Sequence, residues 1–226
     1  DNEHVMLTVD GGNISCTGNS QLVYTDGTLL VTEGVKLTGN HCTGDISGVG
    51  IYGAAGSTTT FKGILSNMQE TKKSSSFNRG NAITVTGANA SMLIQNAIIS
   101  DNKMNNTAGV IWSTAGARLT MIDSVFRGNS SINSQGGVLR TDANSGVVEI
   151  TRCKFDGNEA LKSNGGVMDI NTTGSDVLVT DCTFTNNKAK LGGAITLANN
   201  ARLKLVDCSF SKNTATDGAK GNDIRV

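Results

Sequence analysis

Hydrophobic and polar positions alternate along this chain in short runs, as in Ala201-Arg202-Leu203-Lys204-Leu205-Val206-Asp207-Cys208, and Gly, Asn and Asp interrupt them. A two-residue period predicts short strands with one buried face. Apolar spacing of the helical kind does not persist beyond about two turns. An all-β chain is therefore expected.

The runs recur in phase. An aliphatic or aromatic residue followed three positions later by Asn occurs at Phe126–Asn129, Phe155–Asn158, Phe184–Asn187 and Phe210–Asn213. Weaker copies stand at Ile99–Asn102, Ile64–Asn67, Leu37–Asn40 and Cys16–Asn19, so successive asparagines lie 21, 27, 35, 27, 29, 29 and 26 residues apart. A second mark keeps the same phase: a glycine pair, a small residue, then an aliphatic one. It reads Gly136-Gly137-Val138-Leu139, Gly165-Gly166-Val167-Met168 and Gly192-Gly193-Ala194-Ile195, with looser copies at Ala108, Gly80 and Gly221. Each period of roughly 28 residues has room for two or three short strands and several turns.

Leucine-rich repeats would show spaced leucines, and propeller blades need about 40 residues, so neither fits. A single-stranded parallel β-helix does: about eight coils, each pairing with the next, in a rod roughly 35–40 Å long. In that arrangement equivalent side chains stack. Asn102, Asn129, Asn158, Asn187 and Asn213 would form an amide ladder at tight turns, where Asn tolerates a left-handed backbone. Phe126, Phe155, Phe184 and Phe210 would stack inside, with Ser124, Cys153, Cys182 and Cys208 two residues earlier on the same face. Proline would delete an amide needed between coils, and the chain has none. The expected organisation is one domain, residues 1–226, with irregular coils over 1–79 and regular ones over 80–226.

The Gly-Gly-Ala-Ile and Phe-x-x-Asn pair resembles the repeats of the chlamydial polymorphic outer-membrane proteins and related microbial surface proteins. The resemblance covers about residues 80 to 224 well and 11 to 79 loosely. It implies a right-handed β-helix that serves as the passenger of an autotransporter, acting extracellularly or at the cell surface in adhesion to a host or neighbouring-cell receptor or glycan. No translocating barrel is read in this sequence.

Composition narrows the partners. With 19 basic and 19 acidic residues, nucleic acid and membrane surfaces are not expected partners. No apolar run is long enough to span a bilayer, and Asp1-Asn2-Glu3-His4 reads as a mature or trimmed start. Aromatic residues are 4% of the chain, so aliphatic and small residues must build most of the core. Of the five cysteines, three repeat at one coil position, which favours buried small hydrophobes; Cys16 and Cys42 remain candidates for pairing.

Candidate chemistry is sparse, and neither a metal nor a cofactor is expected. The residues after the inward aliphatic mark form a column expected to face outward: Tyr52, Thr84, Trp112, Arg140, Asp169, Thr196 and Arg225. Tyr52 and Trp112 could stack on sugar rings, and Arg140 beside Asp169 could hold a uronate or make an ordinary cross-coil ion pair. A second outward column, Asp123, Arg152, Asp181 and Asp207, suits a surface charge ladder. The longest interval carries a polar insertion, residues 69–79, in which Lys72, Lys73, Phe77 and Arg79 could touch a partner. The expected function is a non-enzymatic structural and adhesive rod. A carbohydrate-active β-helix is the alternative, and end-to-end self-association through open strand edges is a further expectation.

Overall fold

The computed structural model describes residues 5–15, 21–39, 41–42, 50–70, 81–105, 108–142, 145–171, 175–217 and 221–226. Gln69–Glu70, expected at the start of the insertion, form a strand of the coil; residues 71–79, with Lys72, Lys73, Phe77 and Arg79, lie outside the described residues, as do Cys16 and the side chain of Cys42.

Each coil holds four strands, not two or three. One runs through Arg118–Ile122, Val125–Arg127, Ser130–Ser131 and Leu139–Asp142. Equivalent strands of successive coils lie side by side and parallel, forming four sheets, named here I to IV in chain order. Among the described residues, sheets I, II and IV contain eight strands and sheet III seven. The molecule is a parallel β-helix built as expected from the repeats.

The extra strands come from corners of a single residue. Between sheets I and II the backbone takes a left-handed φ at Asn96, Asp123, Arg152, Asp181 and Asp207, all between 50° and 52°. Between sheets II and III it does so at Asp101, Gly128, Gly157, Asn186 and Lys212. One such residue turns an extended chain sharply, so strands as short as two residues still count as separate sides. The ladder asparagines follow directly after this second corner and are not themselves left-handed. The expectation that Asn supplies the left-handed turn is thus displaced by one residue.

The stacking itself holds. Asn129 donates from its amide nitrogen to the Asn158 side-chain oxygen at 3.0 Å and to the Ile99 carbonyl at 2.9 Å. Asn102, Asn158 and Asn187 repeat the side-chain link to the next coil at 2.8, 3.1 and 2.9 Å. The four phenylalanines form one file, with ring centroids 5.0, 4.9 and 4.6 Å apart and nearly parallel planes. Cys153 and Cys182 are buried, Cys208 is half-buried, and all three are free thiols. Contact with the Cys182 thiol and burial hold Cys153 well above the ordinary thiol range; it behaves as a small hydrophobe.

Register corrects two weak copies. Leu65 pairs with Ile99, so Met68, not Asn67, stands one coil before Asn102; the Met68 amide donates to the Asn102 side chain. Ile14 pairs with Leu37, which displaces Cys16–Asn19 from the mark. The asparagine ladder therefore starts at Asn102.

The corner between sheets I and II carries the second outward column as a surface feature. Arg152 grips Asp123 with two bonds, 2.7 and 2.9 Å, and the hydrogen bond holds the Asp123 carboxyl below the usual carboxylate range. Both groups are solvated, and exposed pairs contribute little. Arg152→Ala is expected to leave the thermal midpoint within about a degree of the parent; a drop of several degrees in calorimetry would contradict this.

Candidate functional site

The glycine pair shapes the corner between sheets III and IV. Gly136, Gly165, Gly192 and Gly221 have φ between 59° and 71°. A Cβ on Gly165 would overlap the Met168 carbonyl, so the chain folds back tightly against the start of its own sheet IV strand. This packing explains the column that follows. Register places Tyr52, Thr84, Trp112, Arg140, Asp169, Thr196 and Arg225 on successive strands, as expected.

They do not form a solvent face. Thr84 and Thr196 are buried, Trp112 is 6% exposed and Asp169 is 1% exposed. The indole of Trp112 therefore offers no open face to a sugar ring. Tyr52 is half-buried and stacks on Tyr24, which is 59% exposed, at 5.4 Å. Tyr24 was not among the expected residues, although it sits in register with Tyr52.

The structure brings Arg140 to Asp142 instead of Asp169, with Nη2 and Oδ2 3.0 Å apart. Two positions along one strand point to the same side, so the Arg-x-Asp spacing was the available signal. Arg140 also lines a polar depression of about 210 Å³ with Asn133, Ser134, Gln135 and Ser163. A second, larger hollow of about 390 Å³ lies on sheet I, lined by Val147, Leu178, Glu149, Asp176, Arg202 and Lys204 among others.

Asp169 is the chemically unusual group. Neither carboxylate oxygen makes a hydrogen bond of good geometry, although the Asn171 side chain lies close enough to favour the ionised form. Burial pushes its carboxyl up to about 7, and Asp142 adds to that; Arg140 pulls it down most, with Asn171 and Arg225 helping. Folding thus takes up a proton at pH values where the unfolded chain is ionised. The stability this group contributes is complete below its ordinary pKa of 3.8 and is lost as pH rises to about 7. A tenfold difference in proton affinity between the folded and unfolded chain corresponds to about 1.4 kcal/mol. Asp169→Asn is expected to flatten the decline in melting temperature between pH of about 4.5 and 7.5; an unchanged slope in calorimetry would refute the assignment.

Among the described residues, no three His, Cys, Asp or Glu side chains converge as metal ligands. Among them, too, no helix is long and apolar enough to cross a membrane.

The family model described as "Right handed beta helix region" matches residues 5–225. No curated protein and no solved structure matches the chain.

Proposed function

Since the chain belongs to the right-handed β-helix family, we propose that it serves as a non-enzymatic, structural and adhesive rod outside the cell or on its surface. The polymorphic outer-membrane resemblance of the Gly-Gly-Ala-Ile and Phe-x-x-Asn marks supports that setting. One observation carries the reading: the residues that suggested catalysis are committed to holding the coil. Trp112 and Asp169 are buried, and Arg140 is tied to Asp142. What remains outside is a set of parallel faces rising about 4.8 Å per coil, a rigid surface for contact with a receptor or glycan. Nucleic acid and membrane are not partners in this reading, and no cofactor enters it. Contact between copies, end to end, is part of the proposal.

A glycan array and a cell-binding assay, paired with a lyase assay that reads unsaturated products, test it. Binding without turnover supports the rod. Cleavage that disappears in Arg140→Ala would replace it with the carbohydrate-active alternative, for which the polar depression beside Arg140 offers the starting point. Sedimentation across a concentration series tests self-association; a single monomeric species throughout would remove that part.

A further inference from the structure

The sheet III–IV corner holds a hydrogen bond at Thr196, and Asp169 occupies the equivalent position one coil earlier. Thr196 occupies the register position of Asp169 on the next coil. Its hydroxyl donates to the carbonyl of Leu191, five residues earlier, at 3.2 Å. Five residues before Asp169 is Asn164, whose carbonyl already accepts from the Gly136 amide at 2.8 Å and retains a second lone pair. A neutral carboxyl can donate to that carbonyl as threonine does. A carboxylate cannot, because it presents only acceptors.

The charged groups around Asp169 come from every packed element. The preceding strand brings Arg140 and Asp142, and Arg225 lies beyond Thr196. Across the corner, sheet III strands carry Glu159 and Lys162, then Lys188 and Lys190. Lys162 directs its ammonium to the Asn133 side chain at the exposed rim, 3.2 Å away. Arg140 is the cation next to Asp169 in register, and it is shared with Asp142.

We propose that Asp169 is a proton-operated latch on this corner. Neutral, it donates to the Asn164 carbonyl and holds the turn against sheet IV. On ionising it releases its proton to water, loses that bond and draws the Arg140 guanidinium from Asp142. The turn then loosens, and the polar depression that Arg140 lines changes shape and charge. The raised carboxyl pKa supports the geometry. The latch is independent of whether the rod binds a receptor or a glycan.

Carbon-detected NMR of the intact chain reads the carboxyl directly. A midpoint above about 6 is expected, well over the ordinary value, and a midpoint below about 5 overturns the latch. Hydrogen exchange at the Gly136 amide reads the corner. After correction for intrinsic rates, its protection is expected to fall about tenfold between pH of about 5 and 8 in the parent. It is expected to stay constant in Asp169→Thr, which carries the hydroxyl found at 196. A fall of equal size in Asp169→Thr would overturn the proposal. Asp169→Asn, whose amide also donates, gives the same reading if the threonine variant does not fold.

Discussion

Asn158→Ala is expected to cost on the order of 5 kcal/mol, more than most single substitutions. Asn158 is fully buried. Its amide nitrogen donates to the Phe126 carbonyl at 2.9 Å and to the Asn187 side-chain oxygen at 3.1 Å. Its own oxygen accepts from the Asn129 backbone amide at 3.1 Å and from the Asn129 side chain at 3.0 Å. Alanine removes all four bonds and leaves Phe126, Asn129 and its amide without those partners, away from water. Each buried polar group so stranded costs about 1–3 kcal/mol. Asn158→Asp should fare no better, since it keeps an acceptor but loses both donors and buries a charge. Urea denaturation followed by circular dichroism measures the loss; a change under about 1 kcal/mol would show that the ladder is ornamental.

Gly166→Ala should be comparably damaging, for a reason that has nothing to do with backbone freedom. A Cβ at Gly166 would overlap the Gly193 carbonyl oxygen and stand 2.8 Å from the Lys188 amide nitrogen. These obstacles are backbone. The Lys188 amide is bonded to the Asn158 carbonyl at 2.9 Å, and the Gly166 amide to the Gly192 carbonyl at 3.2 Å. Relief therefore requires breaking contacts between coils, and a loss above about 4 kcal/mol is expected. Gly157→Ala is the control. Its φ is 63° but nothing lies within 4 Å of the added carbon, so only left-handed strain of about 1 kcal/mol applies. Equal melting temperatures for the two variants would contradict the crowding argument.

The contrast explains the glycine pair. Its first member turns the chain with a positive φ, and its second lets adjacent coils approach at backbone distance. Both needs recur once per coil, which is why the pair could be read from sequence as a mark in phase with Phe-x-x-Asn. The same logic made the asparagine ladder, the phenylalanine file and the free cysteines legible. In a stacked fold, residues one period apart become neighbours, so a repeat in sequence is already a contact in space.

The candidate site was less legible. Alternation shows which residues share a side of a strand; it does not show what lies over that side. The column from Tyr52 to Arg225 is in register as expected, but Thr84, Trp112, Asp169 and Thr196 are buried, and at Asp169 and Thr196 the coil's own glycine turn packs against the strand. Arg140 was assigned to the neighbour one coil away, but the nearer partner proved to be Asp142, two residues along the same strand. The sequence shows fewer than four strands per coil because most of the one-residue corners, among them Arg152 and Lys212, carry no glycine to announce them.

By itself, then, the order of residues determined a parallel stack of coils, the side chains that file along its interior and the amides that link them. All of these follow from periodicity, which stacking converts into distance. Only the tertiary structure decided that Asp169 is shut away from water with neither oxygen in a hydrogen bond of good geometry. That outcome depends on how a turn folds back over its own strand, and short-range patterns do not encode what covers a surface.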